Sequence, residues 1–225
     1  MTATPALARF SPNKILAPFA FALALTLAAL PDRALAGDPA SDAQAFLQSF
    51  SDQAVATLAN ASLSDRERDK TLKSLIVNGF EMKTIGRLAL GRHWKRATDS
   101  QRSEYSDLFR TYVTSATIKR LSDYSGEVLE LGKARTAGKT ELVSIPSQIR
   151  SPNGSAINVE WRLRHTAESD WRIIDVVIEG VSMLQTHRAE FDAVIRQGGS
   201  GLDGLLAKLR SIVQPETAQT AHQVE

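Results

Sequence analysis

The segment Trp171 to Met183, W-R-I-I-D-V-V-I-E-G-V-S-M, constrains the fold of this 225-residue chain more than any other stretch. Trp171, Ile173, Ile174, Val176, Val177 and Ile178 form a near-continuous apolar run rich in β-branched residues. Such a run reads as a strand covered on both faces, because a strand with one wet face alternates instead. Gly180 permits a sharp exit, and Ser182 stands where an N-cap opens the next helix. Asp175 lies inside the run and Glu179 at its end, while the helix beyond carries Arg188 and Phe191.

The segments before this strand change period midway. Phe46, Leu47, Phe50, Val55 and Leu58 predict an amphipathic helix over Ala40 to Asn60. Ser64, followed by Asp65 and Glu67, predicts a second helix start, with carboxylates suited to its dipole. A short third helix spans Glu81 to Leu90 and stops at Gly91. Thr98 and Gln101 form a capping box for a fourth, running to about Ser122, whose broad face holds Tyr105, Leu108, Phe109, Tyr112, Val113, Ala116 and Leu121.

Val159, Trp161 and Leu163 then alternate with Glu160, Arg162 and Arg164, the pattern of a half-buried strand. Val143, Ile145 and Ile149 predict the strand before it, and Val128, Leu129 and Leu131 one earlier still. Turn signals at Ala137-Gly138, Pro152-Asn153-Gly154 and Glu168-Ser169-Asp170 join them into a four-strand antiparallel meander. Pro146 inside the second strand predicts an edge position or a bulge. Helices over Ser182 to Arg196 and Gly201 to Ser211 follow. Helices, then an antiparallel sheet, then helices make an α+β domain.

The ends read differently from the middle. Arg9 and Lys14 precede the apolar run Ile15 to Leu30, and Ala34-Leu35-Ala36 before Gly37 is a small-x-small cleavage site. Residues 1–36 are therefore expected to be a cleaved signal peptide; the competing reading, a membrane anchor, needs about 20 apolar residues. Residues 37–212 form the expected domain, and 213–225 a polar, disordered tail. Residues 37–225 hold 24 basic and 24 acidic side chains, and no basic tract interleaved with aromatics, so no nucleic-acid partner is expected. The chain has no Cys, which excludes disulfides, thiol chemistry and a thiol-linked lipid.

Catalytic signatures are missing. There is no G-x-x-x-x-G-K-S/T, no H-E-x-x-H and no G-x-S-x-G, and His93, His165, His187 and His222 are not spaced as metal ligands. No catalytic residue, metal or cofactor is expected, and the chain reads as a non-enzyme. Asp175 is the one candidate for hidden chemistry, as a pocket base with a raised pKa. Its structural alternative is a loop cap or an ion pair with Arg172 or Arg188. Glu179 can pair with a cation at a pocket mouth and Arg188 with a phosphate, or both can form ordinary ion pairs.

Two blocks carry a family resemblance. Trp171 to Met183 resembles the signature of the MlaC or toluene-tolerance family of periplasmic phospholipid carriers. Leu88 to Phe109, L-A-L-G-R-H-W-K-R-A-T-D-S-Q-R-S-E-Y-S-D-L-F, resembles its L-G-x-x-W-x-x-A-T-x-x-Q-R-x-x-F block, about 80 residues upstream. Asn78 to Leu88 departs from the family by lacking the usual Pro and Asp. The resemblance implies an NTF2-like cone, in which a curved sheet wraps a long helix around an apolar cavity. It also implies a periplasmic carrier of phospholipid, with an inner-membrane ABC transporter complex and an outer-membrane lipoprotein complex as partners. A hopanoid or other polycyclic lipid is the alternative cargo.

A diacyl lipid needs a long apolar cavity with its head near water. Leu108, Phe109, Tyr112, Val113 and Leu121 are expected to supply the helix wall, and Val143, Ile145, Val159, Trp161, Val176 and Ile178 the sheet wall. The same residues would fill an ordinary core if no cavity existed. Two other classes stay open. One is an NTF2-like isomerase or dehydratase that uses Asp175; the other is an envelope interaction protein with a filled core.

Overall fold

The structure, a computed structural model, describes residues 38–136, 142–166, 170–197 and 199–214. The expected signal peptide, the turns at Ala137-Gly138 and Glu168-Ser169, and the tail from residue 215 lie outside them.

Four helices come first. Helix α1 (Pro39–Ala59) opens with the Asp38 carboxylate accepting from the Ala40 N–H at 3.2 Å and with Pro39 in its first turn, where no N–H is needed. Helix α2 (Asp65–Gly79) begins in a capping box: the Glu67 N–H donates to Ser64 Oγ, and the Glu67 carboxylate accepts from the Ser64 N–H. Helix α3 (Met82–Leu90) ends at Gly91, whose φ of 59° and ψ of −128° suit only glycine. A 3₁₀ segment (Gly91–Arg96) leads into α4 (Asp99–Leu121), which opens with the reciprocal Thr98–Gln101 box.

The sheet follows as β1 (Val128–Leu131), β2 (Arg135–Thr136), β3 (Leu142–Arg150), β4 (Ala156–His165), β5 (Trp171–Ile178) and β6 (Val181–Ser182). The strands pair antiparallel in the order β1-β3-β4-β5-β6, with β2 also on β3. The expected four-strand meander is present, extended by the two short strands β2 and β6. Helices α5 (Met183–Gln197) and α6 (Gly201–Val213) are the last described elements, and α6 takes in Val213, the first residue of the expected tail.

Pro146 differs from expectation. It lies in β3, an interior strand, and opposite it the chain leaves the ladder between β1 and β2. Its carbonyl accepts from the Gly132 N–H at 2.7 Å, on the side away from β4. A residue's N and C=O point the same way in an antiparallel strand, so the missing proline N–H removes no β3–β4 bond.

A register slip sets the faces of β5. Leu163 pairs with Ile173 and Arg162 with Asp175, leaving Ile174 as the extra residue of a bulge. Val176 and Ile178 therefore share the face of Trp161 and Val159, while Asp175 turns with Arg162 to the other side. The strand expected to be covered on both faces has buried residues on each: Ile173 on one side and Asp175 and Val177 on the other, with the remaining residues half-buried.

The apolar interior divides in two. A helical cluster joins Ile85, Ala89 and Leu90 of α3 to Tyr105, Leu108 and Phe109 of α4, Phe191 and Ile195 of α5, and Leu205, Leu206 and Leu209 of α6. A sheet cluster joins Ala43 and Leu47 of α1 to Ala134, Val143, Ile145, Leu163 and Ile173. Among the described residues, Phe80 alone packs against both. It sits at the α2–α3 junction, held beside β5 by the Glu81 N–H donating to the Ile173 carbonyl at 2.9 Å. Glu81 also pairs with Arg164 of β4, so the helices are tied to the sheet at its β5 edge.

Candidate functional site

One face of the sheet is largely apolar, interrupted by Thr136, Ser147 and His165. The strand register builds it as four cross-strand rows: Val143–Leu163–Ile173, Ile145–Trp161–Val176, Leu131–Ser147–Val159–Ile178 and Leu129–Ile149–Ile157. All six sheet residues expected to form a cavity wall, Val143, Ile145, Val159, Trp161, Val176 and Ile178, lie on this face. Period-2 alternation sends the β3 and β4 residues there, and the bulge at Ile174 turns Val176 and Ile178 to the same side.

Cover on this face is graded. Helix α1 closes the first row, where Val143, Leu163 and Ile173 are buried with Ile145 beside them. Farther along, Trp161, Val176, Ile178, Ile149 and Leu129 are half-buried, and Ile157 is 43 % exposed. The opposite face carries Glu160, Arg162, Arg164 and Arg172 instead.

Trp161 is held in place within its row. Its indole N–H donates to Ser147 Oγ at 3.0 Å, and that hydroxyl donates to the Val159 carbonyl at 3.0 Å. Ser147 is buried, so the one polar group on this stretch of the face is fully used. Sequence reasoning passed over Ser147, Leu129, Leu131, Ile149 and Ile157 as wall residues. The i, i+2 series Val143, Ile145, Ser147, Ile149 was the signal for two of them.

The helix residues expected to line the other wall are not all together. Leu108 and Phe109 fill the helical cluster: Phe109 stacks on Tyr105 with ring centroids 5.6 Å apart and meets Phe191 edge-on at 6.1 Å. A Cβ on Gly86 would stand 3.0 Å from the Phe109 ring. Tyr112 and Val113 flank the same cluster, half-buried. Leu121, near the end of α4, is half-buried and belongs to neither cluster. The face of α4 was legible in the sequence, but α3, α5 and α6 cover much of it.

Asp175 has a structural assignment. It is 6 % exposed, and both its oxygens are engaged. Oδ1 accepts from the Leu184 N–H at 3.0 Å, while Oδ2 accepts from Ser182 Oγ at 2.6 Å and from the Arg162 guanidinium at 3.2 Å. The carboxylate thus anchors the first turn of α5 to the sheet, and its cation is Arg162 rather than Arg172 or Arg188. Ser182 caps α5 as expected, its hydroxyl accepting from the Gln185 N–H at 3.1 Å. Among the described residues Glu179 meets no cation. It adopts φ 47° in the β5–β6 turn, and its carboxylate accepts from the Asn158 N–H.

The described histidines do not converge. His93 bonds Asp192, His187 stacks on Phe191, His165 packs edge-on against Trp171, and His222 lies outside the described residues.

Comparisons with known proteins agree with this architecture. The family model for MlaC protein matches residues 48–211. The "intermembrane phospholipid transport system binding protein MlaC" of Haemophilus influenzae is 25% identical over 134 residues, 58% of this chain; the match spans 61% of that curated relative's length. A phospholipid-binding protein of Ralstonia solanacearum, solved in complex with a phospholipid, superposes with a TM-score of 0.68 at 24% identity, covering 80% of this chain and 99% of that one, and shares the fold. With a family model spanning most of its length and the matching α+β architecture, this chain belongs to the MlaC protein family.

Proposed function

We propose that this chain is a periplasmic lipid carrier that lays the acyl chains of a phospholipid along the half-covered apolar face of its sheet. The observation that carries this reading is the graded cover of that face, closed by α1 at Val143 and Ile145 and open toward Trp161, Val176, Ile178 and Ile157. Such a face is costly to leave wet: each CH₂ removed from water is worth about 0.8 kcal/mol. A lipid chain resting there would be shielded while its head stayed in solvent. The division of the interior into two clusters bridged by Phe80 supports the same reading, because helices and sheet can part there without breaking one continuous core.

The names of the two relatives, a binding protein of an intermembrane phospholipid transport system and a phospholipid-binding protein, support a phospholipid as the cargo. The carrier moves that cargo between the outer and inner membranes, together with an inner-membrane ABC transporter complex and an outer-membrane lipoprotein complex. Export by the N-terminal segment, cleaved after Ala36, delivers it to the periplasm. The engagement of both Asp175 oxygens supports a role without catalysis.

The test is lipid mass spectrometry on protein purified from the periplasm of a Gram-negative host without detergent. A stoichiometric diacyl phospholipid, lost when Val176 is changed to Glu, is the expected result. Empty protein that also takes up no phospholipid from vesicles would sink the reading.

A further inference from the structure

A concavity lies where the C-terminal end of α3 meets α5. It measures about 310 Å³, and its polar lining comes from Arg92, His93, Gln185, Arg188 and Asp192. Its chemistry is one-sided. Asp192 is the lone carboxylate in the lining, and its oxygens are already occupied. Oδ1 accepts from Arg92 Nη2 and His93 Nε2, each at 2.7 Å, and Oδ2 meets Arg196 Nε at 2.9 Å. The Asp192 carboxyl is held below the usual carboxylate range, first by the His93 hydrogen bond.

Arg188 is left over. Its guanidinium lies against the backbone of Gly91, so close that a Cβ there would stand 3.0 Å from Nε and 3.4 Å from Cζ. Among the described residues it makes no hydrogen bond and no ion pair, and the Gln185 side-chain amide is equally free. Two guanidinium groups, of Arg92 and Arg188, therefore share the lining with one carboxylate, a surplus of one positive charge, and that carboxylate is also met by Arg196 from outside the lining. That surplus stands out in residues 37–225, where 24 basic and 24 acidic side chains balance. Donors outnumber acceptors in a concave, partly screened space, and a planar guanidinium with a free edge matches an oxyanion in pairs of N–H···O bonds.

We propose that this cavity binds a phosphate group, with Arg188 as its principal ligand and Arg92 and Gln185 beside it. Gly91 serves the site by its lack of a side chain, which lets the guanidinium lie flat on the α3 terminus. The phosphate is either free in solution or the head of a lipid. The lipid source rests on the carrier reading above, and the anion site does not.

The test is titration of the purified protein with inorganic phosphate at low ionic strength, followed by calorimetry, for wild type and for Arg188→Gln and Arg188→Lys. Saturable one-to-one binding is expected, weakened about tenfold or more in Arg188→Gln, less in Arg188→Lys, and weakened by added salt. Arg188 is exposed, so thermal melting of the variants should match wild type. No saturable phosphate binding by wild type would overturn the site, as would equal binding by Arg188→Gln.

A second arm identifies the source. Both proteins are incubated with vesicles of phosphatidylethanolamine and phosphatidylglycerol, and the lipid carried away is measured. Lower occupancy in Arg188→Gln, with weakened phosphate binding, assigns the site to a lipid head. Equal occupancy with weakened phosphate binding assigns it to the free anion. If neither protein takes up lipid while phosphate still binds through Arg188, the carrier reading fails and the anion site stands.

Discussion

The indole N–H of Trp161 reaches across the β3–β4 ladder to the hydroxyl of Ser147, 3.0 Å away, and so orients a large ring on the apolar sheet face. The bond joins neighbouring rows, since Trp161 pairs with Ile145 and Ser147 with Val159. Changing Ser147 to Ala removes the acceptor for one buried donor and the donor to the Val159 carbonyl. We expect a loss of about 1 kcal/mol in denaturant unfolding. A broader Trp fluorescence spectrum and faster lipid release should accompany it. Unchanged lipid release would show that Trp161 needs no anchor to do its work.

Core and wall are separable by mutation. Phe109 is fully buried between Tyr105, Phe191 and Gly86, so Phe109→Ala should cost about 3–5 kcal/mol, while the folded fraction keeps its lipid. Trp161 is half-buried, so Trp161→Ala should cost less stability but more lipid. Lipid per folded protein, measured by mass spectrometry beside urea unfolding, separates the two. Loss of lipid in Phe109→Ala at full folding would make the helical cluster part of the wall.

Asp175 offers a direct contrast between catalysis and scaffolding. Replacing it with Asn keeps the shape but removes the charge that faces Arg162 and places an amide N–H₂ near Ser182 Oγ or the Leu184 N–H. A cost of about 2–4 kcal/mol is expected, because a buried polar network loses one member while its partners stay. Lipid content should not change. Near-native stability in thermal and urea unfolding would remove the scaffolding assignment.

Local signals were read correctly where the physics is local. The Thr98–Gln101 box is complete within four residues, Ser64 opens α2 as its helix start predicted, with Glu67 closing a box that was read only as a dipole charge, and Gly91 stops α3 through its own backbone. Readings that depended on a neighbour went astray. Pro146 suggested an edge or a bulge because the two-residue strand β2, which makes β3 an interior strand with a break opposite Pro146, has no visible period. The slip at Ile174 arises from pairing with β4, so nothing in W-R-I-I-D-V-V-I announces it. The α4 face around Leu108 and Phe109 was apolar as expected, yet periodicity does not say whether a sheet or three helices will cover it. For Asp175 the buried carboxylate was legible, but its partner lay 13 residues earlier, on the adjacent strand.

Tyr105 makes the fold sensitive to alkali. Its ring is fully buried among Trp94, Phe109 and Phe191, and its hydroxyl donates to the Gly86 carbonyl at 3.1 Å. Burial pushes its ionisation well above that of a free tyrosine. Tyr112 is raised too, first by its own burial and then by the Glu190 carboxylate, against the opposing charge of Arg120. In the unfolded chain a tyrosine loses its proton near pH 10, whereas folded Tyr105 keeps it. Above that pH the unfolded state therefore binds fewer protons, and stability falls as pH rises, by up to about 1.4 kcal/mol per pH unit for Tyr105 alone. Below it the contribution is fully present. In an alkaline titration followed by near-ultraviolet absorbance and circular dichroism, the Tyr105 phenolate signal should appear only as the helices melt. Tyr105→Phe should cost about 1 kcal/mol at neutral pH through the lost bond to Gly86, yet fall off less steeply above pH 10. A phenolate signal from Tyr105 in protein that is still folded would show that water reaches the ring and that the helical cluster opens more readily than its packing implies.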